Sequence, residues 1–223
     1  MILPIVDVPS GVTLMAGGPV LRRDLRAALA LAPHLVAADG GADRALRFGQ
    51  SPQAVIGDMD SISQDARARL ASRLHQIDEQ ETTDFDKALM RIRARFVLAL
   101  GCLGGRVDHE LAVFASLVQR QDGPPCLLVG AQDVVFAAPA SRDIRLALRP
   151  GDRVSLFPLA PVRGRSEGLR WPIDGLDMRP DGRIGTSNAA TGPVSLCFDS
   201  AGMLVILPRN RLDAAFSALV SAG

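Results

Sequence analysis

The feature that most constrains this chain is a rhythm running from residue 12 to about residue 129 and then stopping. Short apolar runs at 12–16, 35–38, 54–56, 74–77, 96–100 and 126–129 each lead into Gly, Asp or a turn. Between them, apolar residues at three- and four-residue spacing predict helices near 22–31, 43–49, 63–72, 84–94 and 108–120. Alternating strand and helix calls for an α/β layer structure. Runs that are apolar throughout are covered on both faces, which predicts a mostly parallel sheet with its ligand at the carboxyl ends of the strands.

After about residue 139 the helical spacing disappears. Short β-like segments at 152–157, 182–185, 193–198 and 203–207 are separated by turns at 149–152, 180–182 and 200–202, and 211–220 reads as a closing helix. The expectation is therefore an α/β domain over 1–138 followed by an all-β sandwich over 139–223.

Composition narrows the function. A hydrophobic content of 48% supports a real core, and 25 Lys and Arg against 24 Asp and Glu leave no global field to draw the chain to nucleic acid or an anionic membrane. Three dispersed cysteines without a Cys-x-x-Cys pair argue against a disulfide framework and a zinc knuckle, and point to a reducing cytoplasm. With no basic leader and no apolar run near the ~18 residues of a membrane span, a soluble, unprocessed chain is expected.

Function must then lie in a local site, and five successive strand ends carry Gly, Asp or both: Gly17-Gly18, Asp39-Gly40-Gly41, Gly57-Asp58-Met59-Asp60-Ser61, Thr83-Asp84-Phe85-Asp86-Lys87 and Gly104-Gly105-Arg106-Val107-Asp108-His109. Glycines let backbone approach a phosphate chain, and aspartates bring the metal that neutralises it. On an extended backbone Asp58 and Asp60 point to one side, which suits Mg²⁺; the bland alternative is a turn that caps the next helix. Thr83 and Asp86 have capping-box spacing, and Asp84 lies where a helix start, a phosphate and a metal would meet. Arg106 offers a rigid fork for phosphate oxygens, with Asp108 to orient it or to accept a proton. A lone Trp171 is by default a core residue, and Gly185-Thr186-Ser187-Asn188 by itself is only a turn. No P-loop, Gly-x-Gly-x-x-Gly or Gly-x-Ser-x-Gly run occurs.

Taken in order, Asp39-Gly-Gly-Ala42, Gly57-Asp-Met-Asp-Ser61, Thr83-Asp-Phe-Asp-Lys-Ala-Leu89, Gly101-x-x-Gly-Gly-Arg-x-Asp-His109, Gly168-Leu-Arg-Trp-Pro172 and Thr186-Ser-Asn188 resemble the thiamine pyrophosphokinase family. Met59 stands where the family usually has Phe, and Glu79-Gln-Glu-Thr82 replaces a frequent lysine. The resemblance implies an α/β nucleotide-binding domain, a β-sandwich and a homodimer whose interface builds the thiamine site. It also implies transfer of the pyrophosphoryl group of ATP to thiamine, giving thiamine diphosphate and AMP. Asp58, Asp60 and Asp84 would hold Mg²⁺, with Arg106 and Asp108 managing the phosphates and the attacking hydroxyl. ATP contacts would fall on Gly17, Asp39, Gly40, Thr83, Asp86, Lys87, Gly104 and Gly105, and thiamine contacts on Trp171, Thr186, Ser187 and Asn188. The rival readings are another Mg-dependent nucleotide phosphotransferase and a non-catalytic ATP-sensing module.

Overall fold

The computed structural model describes residues 2–120 and 122–220, which divide into two compact units. The first comprises residues up to 113 together with 123–131, and the second comprises 114–122 together with 132 onward.

In the first unit, β2 (Gly11–Met15), β3 (His34–Ala38), β4 (Ala54–Gly57), β5 (Leu74–Gln76), β7 (Phe96–Leu100) and β8 (Cys126–Val129) form a wholly parallel sheet in the order β8-β7-β2-β3-β4-β5. The central strands β2, β4 and β7 are buried along their whole length, as their unbroken apolar runs require. Each fully buried Leu or Ile there contributes roughly 1.5–3 kcal/mol. The one polar side chain on β2, Thr13, is buried but satisfied, its Oγ1 donating to the Ala32 carbonyl at 2.7 Å.

The connecting helices are α1 (Arg22–Leu31), α2 (Gly41–Arg47), α3 (Gln64–Arg69), α4 (Asp84–Leu89) and α5 (Val107–Gln119). The predicted helix over 84–94 stops at Leu89, because Ile92–Arg93 forms a short strand β6 that pairs in parallel with β1 (Val6–Asp7). That partner lies far back in the chain, outside the reach of local periodicity. α3 likewise ends early and gives way to a 3₁₀ turn over Ala71–Arg73.

The chain runs outward from β2 through β3, β4 and β5, then returns to place β7 on the other side of β2. A doubly wound sheet opens a crevice at the carboxyl ends of the two strands where that direction reverses. Here those ends are Gly17-Gly18 and Gly101, held together by the Gly18 N–H donating to the Gly101 carbonyl at 2.9 Å.

The strands of the second unit pair antiparallel, as its turn-punctuated sequence implies. It contains β9 (Asp133–Ala137), β10 (Ile144–Leu146), β11 (Arg153–Pro158), β12 (Gly164–Leu169), β13 (Gly185–Phe198) and β14 (Met203–Pro208), and closes with helix α6 (Leu212–Val220). The long β13 serves two ladders: its first residues pair with β11, and those from Ala190 onward pair with β10 and β12. The expected strand over 182–185 is a turn and bridge instead, with β13 beginning only at Gly185. All three cysteines are free, and no helix among the described residues is long and apolar enough to cross a membrane.

Candidate active site

A cleft of about 1090 Å³ opens over the carboxyl ends of the parallel strands in the first unit. Its walls include Gly17, Asp39, Gly40, Asp58 and Asp84, with Thr83, Lys87, Gly105 and Arg106 further round. Asp60, Asp86, Gly104 and Asp108, also expected from sequence, do not line it.

The floor is a group of three carboxylates. Asp39, Asp58 and Asp84 each bring an oxygen within 4.8 Å of the others. They come from the ends of β3 and β4 and the start of α4. Asp39 has φ +39 and is 3% exposed; its Oδ2 accepts the Ser61 amide at 2.9 Å, while its Oδ1 is buried with no hydrogen-bond partner. Burial raises its carboxyl above the ordinary value, opposed by the Ser61 amide and reinforced by the charges of Asp84 and Asp58. For Asp58, burial acts upward as well, but the Asp60 amide and the Lys87 ammonium outweigh it and hold the carboxyl below its usual value. Asp84 Oδ1 accepts both the Asp58 amide at 3.2 Å and the Lys87 ammonium at 3.2 Å.

Gly57 makes this convergence possible. A Cβ there would stand 2.9 Å from the Asp39 Cβ and 3.0 Å from Asp84 Oδ1, so any side chain would push two of the three carboxylates apart.

Asp60 does not join the group, contrary to the extended-backbone expectation. Met59 adopts φ +68 and buries its side chain in a cluster with Val55, Ile62 and Leu70, which turns the chain between the two aspartates. Asp60 is left exposed, with its amide donating to Asp58 Oδ1 at 3.1 Å. The aspartate that completes the group is Asp39, which sequence reasoning had placed among nucleotide contacts.

Thr83 and Asp86 form the expected capping box at the start of α4, which makes Asp86 a helix cap and aims Asp84 at the cleft. Arg106 and Asp108 form a two-pronged pair at 3.1 and 2.6 Å, both largely exposed. The Arg106 guanidinium beside it pulls the Asp108 carboxyl down to about 2. Sequence reasoning missed Arg44, on α2 one turn past Gly40-Gly41. It donates to the Gly17 carbonyl at 3.0 Å, and its Nε is buried without a partner beside the cleft. Its spacing from the glycines on the helix was the available signal.

In the second unit, Trp171 is 55% exposed, not core, and the Arg170 guanidinium lies 4.9 Å from its ring. Gly168, at φ +77, allows the bulge that carries the chain from β12 to this Trp; a Cβ there would fall 2.1 Å from the Pro193 carbonyl oxygen. Asn188 is buried and spends its amide on the Trp171 backbone, donating to its carbonyl at 2.7 Å and accepting its N–H at 3.1 Å. Thr186 and Ser187 are exposed beside it in the chain, Ser187 with φ +59.

Comparison with known proteins decides the family. The thiamin pyrophosphokinase catalytic domain matches residues 25–128, and the thiamin pyrophosphokinase vitamin B1 binding domain matches residues 142–201. The chain belongs to the thiamine pyrophosphokinase family. Thiamine pyrophosphokinase 1 of Arabidopsis thaliana is 28% identical, with 68% of each chain covered, and thiamin pyrophosphokinase 1 of Caenorhabditis elegans is 26% identical, with 72% of each covered. Among solved structures, thiamin pyrophosphokinase from Candida albicans superposes with a TM-score of 0.75 at 15% identity, covering 93% of this chain and 95% of that one. At these identities the structural likeness speaks for the thiamine pyrophosphokinase fold, and the two domain matches carry the membership.

Proposed function

We propose that this chain transfers the β,γ-pyrophosphoryl unit of ATP to the hydroxyl of thiamine, giving thiamine diphosphate and AMP. The observation that carries the reading is the three-carboxylate group at the crevice of a chain whose two halves match the two domains of this family in order.

The donor set fits Mg²⁺. All three groups are hard oxygen ligands, and the buried Oδ1 of Asp39 has no other partner. Asp39, Asp58 and Asp84 would hold the ion, whose contribution is to neutralise phosphate charge. Asp60, at the solvent edge, is left outside this set.

The remaining roles follow from what each residue can do. Gly17, Gly40 and Gly105 let backbone approach the phosphates, and Arg44 fixes Gly17 through its carbonyl. Arg106 grips phosphate oxygens, oriented by Asp108. Asp108 holds the Arg106 guanidinium in place through that two-pronged pair. The hydroxyl oxygen attacks the β-phosphorus and gives up its proton to water, the bond from that phosphorus to the bridging oxygen of the α-phosphate breaks, and AMP leaves with that oxygen. Alignment and charge neutralisation, not covalent catalysis, lower this barrier. Trp171 offers an exposed aromatic face to the cationic thiazolium ring, with Thr186 and Ser187 as polar contacts and Asn188 fixing the Trp171 backbone. Two chains form the working homodimer, and the free thiols suit a cytoplasmic enzyme.

Incubation with Mg²⁺-ATP and thiamine, followed by separation of nucleotides, tests the reading. AMP and thiamine diphosphate should appear in equal amounts. ADP in place of AMP would move the chain to the phosphotransferases, and no turnover would leave an ATP-binding module.

A further inference from the structure

Lys87 sits on α4 one turn beyond Asp84 and is 1% exposed. Its ammonium lies 3.3 Å from Asp58 Oδ2 and 3.2 Å from Asp84 Oδ1, beneath the carboxylate group. Both of its ion pairs are made with these carboxylates, so its charge is already committed to them. The carboxylates, for their part, are tethered close together. Asp84 is held by the Asp58 amide, Asp39 by the Ser61 amide, and the Cα of Gly57 packs so closely that even a methyl group would collide. Their mutual repulsion therefore has to be balanced in place, by Lys87 or by a divalent cation.

We infer that Lys87 is a built-in counter-cation, a positioning residue that keeps Asp58 and Asp84 converged when the metal is absent and weakens metal binding by like-charge repulsion, rather than a nucleotide ligand. This rests on the reading of the three carboxylates as a Mg²⁺ site.

Thermal unfolding with and without Mg²⁺, in the absence of ATP and thiamine, tests it on the full chain. Lys87→Met keeps the apolar stem and removes the charge. Its metal-free Tm should fall by about 10 °C. Millimolar Mg²⁺ should return much of that loss, giving a rise about twice that of the unsubstituted chain or more. Titration calorimetry should show Mg²⁺ binding about tenfold tighter in the variant. Equal Mg²⁺-dependent rises in the two chains would overturn the inference, because a merely structural lysine would lower Tm without coupling to metal. Should Lys87→Met not fold without metal, the double variant Lys87→Met with Asp58→Asn carries the test. With one carboxylate neutralised it should fold and melt within about 3 °C of the unsubstituted chain, and failure to fold would overturn the inference. If the unsubstituted chain shows no Mg²⁺ response at all, the metal site itself fails; a normal response with equal rises sinks only the role given to Lys87.

Discussion

In the second unit Asp152 and Arg211 meet in a two-pronged pair at 2.6 and 2.7 Å, with side chains 13% and 20% exposed, and Asp152 also accepts the Arg149 amide at 2.7 Å. One carboxylate faces one guanidinium and one amide, so charge and hydrogen bonds close on themselves. In the first unit three carboxylates converge with one ammonium, which pairs with Asp58 and Asp84, and the buried Asp39 Oδ1 has no partner. Both groups are largely withdrawn from water, yet only the second is left incomplete by the protein. A closed pair holds a fold together, whereas an unbalanced group at the end of a parallel sheet is completed by what binds there.

The sharpest way to break this contrast is to remove one member of the unbalanced group. Asp84→Asn should lower turnover with Mg²⁺-ATP and thiamine by about 10³-fold, the scale of losing one preorganised electrostatic contact at a reacting centre. Tm should fall by no more than about 3 °C, because relieved carboxylate repulsion offsets the weakened Lys87 bond. Circular dichroism melts run beside the assay check this; a stability loss in proportion to the activity loss would make the group structural, like Asp152–Arg211.

Gly57→Ala sharpens the same point without touching a charge. The added methyl meets Asp39 Cβ and Asp84 Oδ1 at about 3 Å, and overpacking of this kind costs about 1–3 kcal/mol. Displacing the carboxylates by about 1 Å should cost turnover about 10²-fold. Steady-state kinetics and urea midpoints on the variant check both numbers, and unchanged kinetics would show that the carboxylates need not converge.

How far the sequence foretold these features depends on whether local pattern or distant partners decide them. The strand ends were legible because an apolar run that stops at Gly or Asp marks both a strand and its carboxyl end; β7, β8 and α1 appear where periodicity puts them. Asp58 and Asp84 could be read the same way. Asp60 could not, because the Met59 turn is set by side-chain burial against α3 and β4, and the alternation rule holds only on extended backbone. β12, with the polar sequence Gly-Arg-Ser-Glu-Gly-Leu, has no strand signal of its own and exists through pairing with β13. Arg44 sits on a helix whose sequence shows only amphipathicity, and its contact with Gly17 spans 27 positions.

Trp171 extends the comparison to the second unit's exposed surface. A Trp at 55% exposure, met only by the Arg170 guanidinium over its ring, is, like the unbalanced carboxylates, a feature that core packing leaves unused. Trp171→Ala should raise the KM for thiamine by about 2- to 30-fold, matching a cation–π contribution of about 0.5–2 kcal/mol, with kcat and the KM for ATP nearly unchanged. Unaltered thiamine KM would remove Trp171 from the site.

The smallest effect comes from opening the closed pair. The Arg211 guanidinium is the main cause holding the Asp152 carboxyl below its ordinary value, so the folded state binds that proton less readily than the unfolded chain does. Its stabilising contribution is therefore complete above the unfolded carboxyl value, about 4, and is lost as pH falls through the lower folded value. Asp152→Asn should cost about 1.5 kcal/mol at pH 7, the worth of a charged hydrogen bond, without altering turnover. The other depressed carboxylates weaken both chains alike on acidification, so the difference between them isolates Asp152. Urea midpoints should differ at pH 7 and draw together as pH falls below about 4; a gap that stays constant on acidification would mean the pair contributes by shape, through the asparagine-tolerant hydrogen bonds, and not by charge.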